Sequence, residues 1–300
     1  MQEVYQTNWK NNKSTAVAMG YFDGVHEGHK FLINQMIDYA EKNNLDKGVF
    51  TFTKTIKLGH KGKDILSISQ KLDIMQKMGI DLFYSPDFLV FAGLTPEEFV
   101  NKILIESMGA KAVFCGENFC FGKNRAGNVN VLKELCKEKG VEVFIVPTVT
   151  IDGVTVSSTE IRKALSNGEI EKANKFLGRN YSIDFEVVHG KKIGSKIGKP
   201  TINQLYPDFM CTPKEGVYIT KTIIADEIYP SATGFGSRPT VNGENVSCET
   251  TISGYNGDLY GKRIKVEFCK YLYPIKKFEN VQQLADMISD VLKQSEEYWF

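Results

Sequence analysis

The sequence predicts two domains: an α/β domain built on a doubly wound parallel sheet, and then an antiparallel β domain that ends in one helix. In the first half, short β-branched and aromatic runs alternate with longer segments whose apolar residues recur every three or four positions. That alternation is typical of buried strands and amphipathic helices. After Asn180, strand-like runs follow one another with turn signals between several of them. We therefore predict domains 1–180 and 181–300.

In the first domain, strands are predicted in TAVAMGYF, KGVFTF, IDLFYS, AKAVFCG and VEVFIVP. Helices are predicted between them in HKFLINQMIDYAEKN, SISQKLDIMQKMG, TPEEFVNKILIESMG and NVNVLKELCKEKG. Thr95 and Glu98 form a capping box with Pro96 at the first helical position, so the third of these helices begins there. A further helical stretch, SSTEIRKALSNGEIEKANKFLG, leads to the domain boundary.

In the second domain, strands are predicted in YSIDFEVVHG, GVYITKTII, EIYPSATGFG, VSCETTIS and RIKVEFCKYLY. The turn pairs Asn242-Gly243 and Asn256-Gly257 lie between some of these runs, as in antiparallel hairpins. The closing helix is predicted from about Val281.

Composition bounds the function. With 300 residues and 42% apolar content, the chain can bury substantial cores without disulfide support. The net charge of +1 gives no strongly basic half, so we expect no nucleic acid or membrane partner. The six cysteines form no C-x-x-C pair, which favours reduced thiols over a zinc site. The absence of a signal-peptide-like or membrane-spanning run predicts a cytoplasmic protein.

The most informative stretch is MGYFDGVHEGHKFLINQM, where the first strand is expected to end at Phe22 and a helix to begin near Gly28. This turn lies at the carboxyl edge of a doubly wound sheet, where ligands bind. His26 and His29 are three residues apart and share a side of the first helical turn. Their imidazoles can hydrogen-bond a triphosphate and stabilise charge on an α-phosphate under attack. The alternative is that both histidines only cap and pack.

The residues that precede these histidines narrow the interpretation. The segment reads G-x-F-D-G-V-H-x-G-H and includes Gly20, Phe22, Asp23 and Gly24. It resembles the nucleotidylyltransferase signature in the form found in bacterial FAD synthetases, the riboflavin kinase/FMN adenylyltransferase family. The resemblance implies a Rossmann-like nucleotidylyltransferase domain, then an antiparallel β-barrel riboflavin kinase domain with a C-terminal helix.

Two further segments of the first domain extend the resemblance. CGENFCFGKNRAGN is similar to the family's G-x-[DN]-F-x-F-G element, which implies that Asn118 lies by the nucleotide. Without the resemblance, this segment is interpreted as a loop with two packing phenylalanines. VSSTEIRKAL is similar to the S-S-T-x-I-R element. Its hydroxyl residues can cap the following helix and bind phosphate oxygens, and Arg162 can reach the β- and γ-phosphates. The alternative is a plain helix cap with a solvated arginine. The hydroxyl residues are Ser157, Ser158 and Thr159.

The second domain contains a glycine-studded run, HGKKIGSKIGKPTINQL, that resembles the riboflavin kinase P-T-x-N motif. The resemblance implies that Thr201 and Asn203 hold Mg²⁺ and nucleotide phosphates, and their oxygen ligands suit a hard cation. The glycines let backbone amides approach a phosphate. A surface turn is the alternative. The other residues of this predicted binding set are Gly190, Gly194, Gly198 and Pro200.

Glu249 lies in SCETTISGYNGDLYG, which is similar to the family's E-T-x-I-x-x-[FY]-x-G-D-L-Y-G segment. The resemblance implies that Glu249 is the general base that deprotonates the ribityl 5′-hydroxyl of riboflavin. The alternative is an outward-facing glutamate on an amphipathic strand. Arg238, in GFGSRPTVNG, completes the predicted ligand-binding set.

The resemblance implies a bifunctional enzyme that uses ATP and Mg²⁺ to convert riboflavin to FMN and FMN to FAD. Several residues depart from the family pattern: Tyr21 stands where asparagine is usual, and Ser195 and Lys199 stand where arginine and phenylalanine are usual. TKTIK follows VFTF where the family usually has an acidic residue with prolines and a histidine, and the arginine that is frequent near Tyr273 is absent. A chain with one active module, or a non-catalytic flavin- or nucleotide-binding regulator, therefore stays an alternative. A cytidylyltransferase with the same H-x-G-H motif would explain the first domain alone.

Overall fold

The computed structural model describes residues 1–52, 63–190, 201–240, 243–276 and 278–299. The chain divides into two compact units, Met1–Ser157 and Ser158–Phe300. This division falls ahead of the helical stretch that the sequence assigned to the first domain, and the boundary near Asn180 stays a prediction.

The first unit contains a six-stranded sheet in the order β1-β4-β3-β2-β5-β6, and all its pairs are parallel. The strands are β1 Gln2–Val4, β2 Thr15–Met19, β3 Asp46–Phe50, β4 Leu82–Tyr84, β5 Ala110–Gly116 and β6 Glu142–Val146. The strand order changes direction at β2, which pairs with β3 on one side and β5 on the other. The carboxyl end of β2 is therefore the topological switch point.

The helices of the first unit are α1 Glu27–Lys42, α2 Ile68–Lys77, α3 Phe88–Phe91, α4 Pro96–Glu98 and α5 Val129–Glu138. The predicted capping box is confirmed, since Glu98 N donates to Thr95 Oγ1 (3.2 Å) and Thr95 N to Glu98 Oε2 (3.0 Å). Beyond α4 the chain winds as a π-helix over Phe99–Ser107. The predicted helix is thus present, but most of it has a wider turn. A short hairpin of β7 Thr150–Ile151 and β8 Val154–Thr155 follows β6.

Alternation along the strands builds a core on each face of this sheet. Val17 and Met19 on β2 belong to one buried cluster, together with side chains of the π-helix and α5. Ala16 and Ala18 belong to a second cluster, with side chains of α1 and α2. Helices therefore cover both faces, as the prediction of a doubly wound sheet requires.

The second unit begins with α6 Ser158–Asn167 and α7 Ile170–Leu177 and contains a closed antiparallel barrel in the order β10-β13-β12-β11-β14-β9. The barrel strands are β9 Tyr181–Val188, β10 Thr201–Leu205, β11 Gly216–Ile224, β12 Glu227–Thr240, β13 Gly243–Ile252 and β14 Arg263–Tyr273. The last helix, α8 Val281–Trp299, begins at the predicted residue. The predicted fold class of the chain is confirmed.

Two helices are fixed to the barrel by named contacts. The Asn174 side chain of α7 donates to the Phe268 carbonyl (2.8 Å) and accepts from Tyr181 N (2.7 Å). Val291 and Leu292 of α8 pack with Val217 and Ala232 of the barrel wall. In the part of the chain that the structure describes, no helix combines the length and the apolar character needed to cross a membrane.

Candidate active sites

The first candidate site is the turn that follows β2. The strand ends at Met19, three residues before the predicted Phe22. The backbone explains this correction: φ is +50° at Phe22, +82° at Gly24 and +38° at Val25, all in the left-handed region that a strand cannot use. The turn delivers the chain into α1 at Glu27, one residue before the predicted Gly28.

His26 and His29 form one stacked pair at the start of α1. Their ring centroids are 3.6 Å apart with 15° between the planes. His26 is the N-cap residue, and its Nδ1 accepts from His29 N (3.3 Å). The Phe22 ring meets the His29 ring edge-on at 5.2 Å. His26 is only 5% exposed, whereas His29 is partly exposed. The capping role is therefore present, and His29 is the imidazole with more access to a ligand.

Two glycines leave room for these rings. A Cβ on Gly28 would lie 3.3 Å from the His26 ring, and one on Gly20 would lie 3.1 Å from the Phe22 ring. Both distances are tighter than ordinary van der Waals contact, so larger residues would displace the aromatic groups. A Cβ on Gly28 would also lie 3.8 Å from the Val156 carbonyl, which puts the residue before Ser157 beside the first turn of α1.

Asn118 lies at the same edge of the sheet as the histidine turn. It follows β5, the parallel neighbour of β2, in an exposed turn that is closed by Phe119 N donating to the Gly116 carbonyl (3.0 Å). Phe119 and Phe121 stack at 5.8 Å, and Phe121 is buried. The phenylalanines are thus packing residues, while Asn118 is exposed at the carboxyl edge, which is where ligands bind in sheets of this class. Its position by the nucleotide stays a prediction.

The S-S-T-x-I-R element opens α6 at Ser158. Ser158 is partly exposed, Thr159 is exposed and Arg162, one turn further, is partly exposed. Ser157 is the last residue of the first unit. The contribution of these four residues to nucleotide binding stays a prediction.

Sequence reasoning missed a buried lysine beneath the histidine turn. Lys71 of α2 is 6% exposed, and its Nζ donates to the Tyr21 carbonyl (2.9 Å) and lies 4.8 Å from the centre of the Tyr21 ring. Burial lowers the pKa of Lys71 from its ordinary 10.5 to about 8, although the charges of Asp23 and Asp64 oppose the shift. The available signal is the four-residue spacing from Lys71 to the buried Met75, which places the lysine on the inner face of α2.

Tyr21 and Asp23, on either side of Phe22, are both fixed in this region. The Tyr21 hydroxyl donates to Asp64 Oδ1 (2.7 Å), and Ile65 N donates to Asp23 Oδ1 (2.9 Å). The Thr51 hydroxyl donates to the Tyr21 carbonyl (2.8 Å). Asp23 is therefore a structural anchor of the turn, and Tyr21, which departs from the family pattern, belongs to a hydrogen-bonded cluster.

A group of aromatic rings adjoins this cluster. Phe52 stacks with Phe91 at 5.2 Å and with Tyr21 at 6.3 Å, and it meets the edge of Phe88 at 5.4 Å. Leu89, between two of these rings in sequence, is 65% exposed. The residues that depart from the family pattern directly after Phe52 lie outside the described residues.

The second candidate site lies on the barrel, where β10 pairs with β13. The register places Asn203 directly opposite Glu249 and Thr201 directly opposite Thr251. Directly opposite residues of an antiparallel pair have Cβ atoms about 5 Å apart on one face. The structure thus brings together three residues that the sequence singled out in two distant motifs.

This face is the outer one. The alternate residues of the same strands point inward: Gln204, Cys248 and Thr250 are fully or almost fully buried, and Thr250 Oγ1 lies 2.8 Å from Thr233 Oγ1 within the barrel. Glu249 is only partly buried. Its partner on β12 is Gly234, and a Cβ there would meet nothing within 4 Å. There is consequently open space over Gly234, the β12 neighbour of Glu249, whereas Asn203 on the same face is buried, with 7% exposure.

Gly190 lies against the Asn203 side chain, and its own role in binding stays a prediction. A Cβ on Gly190 would lie 2.4 Å from Asn203 Nδ2 and 2.8 Å from Asn203 Oδ1, so only glycine allows the backbone this close to the amide. Gly194, Gly198 and Pro200 lie outside the described residues. The Arg238 backbone is part of β12, but its side chain is not described.

A cavity of about 340 Å³ adjoins Thr201, the first residue of β10. Its wall includes Val187 and Ile202 from the barrel and Tyr255, Asp258 and Tyr260 from the segment after β13. The cavity combines apolar and polar groups, as small-molecule sites do, and it opens beside a predicted phosphate-binding hydroxyl.

These features define a protein of two phosphate-transfer modules, one with stacked histidines at the switch point of a parallel sheet and one with a Thr-x-Asn strand beside a glutamate strand. Residues 8–160 match the family model described as FAD synthetase, and residues 177–299 match the one described as riboflavin kinase.

Curated relatives agree with these matches, and one solved structure shares the fold over nearly the whole chain. The bifunctional riboflavin kinase/FMN adenylyltransferase of Bacillus subtilis is 31% identical over 283 residues, which cover 91% of this chain and 89% of the relative. The protein of that name from Haemophilus influenzae is 30% identical over 279 residues, with 91% and 90% covered. A structure described as a macrolide-efflux protein from Streptococcus pneumoniae superposes with a TM-score of 0.89 at 29% identity and 98% coverage of both chains. The chain belongs to the bifunctional riboflavin kinase/FMN adenylyltransferase family.

Proposed function

We propose that this chain is a bifunctional transferase that phosphorylates riboflavin to FMN and then adenylylates FMN to FAD, with ATP as the donor in both reactions. The two family domains and the relatives that cover nearly the whole chain support this assignment. The observation that carries the kinase half is the cross-strand pair of Asn203 and Glu249, because a general base must lie within reach of the phosphate-binding group.

In the kinase reaction, Glu249 accepts the proton of the riboflavin 5′-hydroxyl as the hydroxyl oxygen attacks the γ-phosphorus of ATP and ADP leaves. Asn203 and Thr201 hold the phosphates on the same face of the barrel. Their amide and hydroxyl oxygens also suit Mg²⁺, which when bound would neutralise phosphate charge. The cavity beside Thr201 can then take another part of the nucleotide.

In the adenylyltransferase reaction, a phosphate oxygen of FMN attacks the α-phosphorus of ATP and pyrophosphate leaves. His29 and His26 stabilise the charge that develops there, and the N-terminal end of α1 adds positive potential. Asn118, Ser158 and Arg162 serve as further ATP contacts. The six free thiols of the chain favour a reducing compartment, so we place the enzyme in the cytoplasm.

The test separates the two activities on one chain. The purified protein is incubated with ATP and Mg²⁺ and with either riboflavin or FMN, and the flavins are separated by chromatography. Glu249→Gln should lower FMN formation by about 10² to 10⁴-fold and leave FAD formation from FMN unchanged. His29→Ala should lower FAD formation from FMN and leave FMN formation from riboflavin unchanged. Glu186→Gln, the same change at an exposed glutamate of β9, is the matched control.

Each outcome decides a specific part of the assignment. Wild-type protein that converts FMN to FAD but leaves riboflavin untouched would limit the function to the adenylyltransferase, and the opposite pattern would limit it to the kinase. Binding of flavin and ATP with no turnover of either would show a regulator.

A further inference from the structure

We propose that Lys71 is a positioning residue for adenylyl transfer: its ammonium group holds the Tyr21 carbonyl and thereby the turn that presents His26 and His29. This inference rests on the proposed adenylyltransferase function. It concerns a residue on α2 that belongs to none of the family motifs in the sequence.

The turn needs anchors because its backbone is unfavourable. Three of the residues between Tyr21 and His26 have positive φ, and two of them, Phe22 and Val25, are not glycine. Side chains with a Cβ are rare in this region and stay there only when surrounding contacts hold them. The geometry of the histidine pair therefore depends on what fixes the residues at the start of the turn.

Lys71 and Thr51 supply that fixation at one atom. Both donate to the Tyr21 carbonyl, at 2.9 Å and 2.8 Å. The next residue, Phe22, is 1% exposed, and its ring contacts His29, which stacks on His26. A continuous path of contacts thus leads from the ammonium group through the turn to both imidazoles.

Burial of the Lys71 ammonium group costs desolvation free energy, which is unusual for a contact that is only structural. Lys71 is almost fully buried, and desolvation alone disfavours its charge, which the Asp23 and Asp64 carboxylates only partly offset. Its ammonium also lies over the Tyr21 ring, whose hydroxyl is bonded to Asp64. Costly groups of this kind are frequent where a protein must hold a functional segment in one geometry.

The experiment compares Lys71→Met with Lys77→Met, an exposed lysine on the same helix that pairs with Asp73. Lys71→Met should lower the kcat of FAD formation on the order of 10- to 100-fold, since small displacements of catalytic groups have effects of this size. Riboflavin phosphorylation by the same preparation should stay within about two-fold of wild type, and Lys77→Met should leave both rates unchanged. If Lys71→Met does not fold, Lys71→Leu, which also lacks a donor, replaces it with the same expected loss.

A double-mutant cycle with His29→Ala distinguishes positioning from general loss of stability. If Lys71 acts through the histidines, Lys71→Met should slow the His29→Ala variant by a smaller factor than it slows wild type, whereas independent effects would multiply. Multiplying losses, or a Lys71→Met rate within about two-fold of wild type, would overturn the proposal.

A second measurement does not depend on activity. The ring-to-ring nuclear Overhauser contact between Phe22 and His29 should be present in wild type and Lys77→Met and weakened in Lys71→Met, with the His189 ring signals of the second unit unchanged. An undiminished contact would refute the role of Lys71 even if the wild-type chain formed no FAD. Absence of FAD formation in wild type alone would instead refute the proposed adenylyltransferase.

Discussion

Replacement of Gly190 by alanine should slow the kinase about 100-fold without unfolding the barrel. The new Cβ would lie 2.4 Å from Asn203 Nδ2, whereas ordinary van der Waals contact begins at 3.4 Å. The amide must therefore move by about 1 Å, and misplacement of a substrate-binding group by this distance lowers a rate on the order of 100-fold. That factor corresponds to about 2.7 kcal/mol of transition-state stabilisation.

The cost in stability should be much smaller. All three Asn203 atoms in conflict with the new Cβ belong to the end of a side chain, which can rotate away. An off-rotamer side chain costs about 1 kcal/mol, so the variant should remain folded. Gly93→Ala is the matched control, since a Cβ on Gly93 meets nothing within 4 Å.

The assay measures FMN formation from riboflavin, FAD formation from FMN and the thermal midpoint for each variant. Gly190→Ala should lose most of the first activity and retain the second, and Gly190→Ala combined with Asn203→Ala should be no slower than Asn203→Ala. Undiminished FMN formation by Gly190→Ala would refute the reasoning, because it would show that the Asn203 amide is not required in its observed position.

Two further predictions concern pH and stability. Because burial lowers the pKa of Lys71 to about 8 from 10.5, its unfolded form binds a proton that its folded form lacks between these values. The free energy of unfolding of wild type relative to Lys71→Met should therefore rise by about 3 kcal/mol across this interval, measured by denaturant titration, and a flat difference would contradict the buried ammonium. On the barrel, burial by itself would raise the pKa of Glu267. Ion pairs with Lys265 (2.7 Å) and Lys221 (3.1 Å) have the larger combined effect, so the pKa is lowered. The contribution of the Glu267 carboxylate to stability should be lost as pH falls through the acid range. The thermal midpoint of wild type should therefore decline more steeply between about pH 6 and pH 3 than the midpoint of Glu267→Gln. Parallel declines would argue against these ion pairs.

The strands and helices were largely predictable because their signals are local. β5, β11 and β14 coincide with the predicted runs from end to end, since each carries a continuous or alternating apolar pattern between turn residues. β1 and β10 were not predicted as strands: one has three residues, and the other is a short polar segment whose motif gave no strand signal. The π-helical winding of Phe99–Ser107 was also missed, because its apolar spacing is equally compatible with an α-helix.

The sequence indicated only some of the residues around the histidine turn. The histidines were found in one motif because they are neighbours on a single helical turn. Lys71 was not found, since it reaches Tyr21 from a helix that is 50 residues away in the sequence. Helical periodicity identified the inner face of α2, but it carries no information on what that face meets.

By itself, the sequence determined the order of strands and helices, the family and the residue types available for phosphate chemistry. Tertiary structure alone decided which of these residues face one another: barrel closure set the register that opposes Asn203 to Glu249, and packing of α2 under the sheet edge set the bond from Lys71 to Tyr21. The physical reason is that backbone periodicity is a property of neighbouring residues, whereas register and packing follow from burial and hydrogen bonding between distant ones.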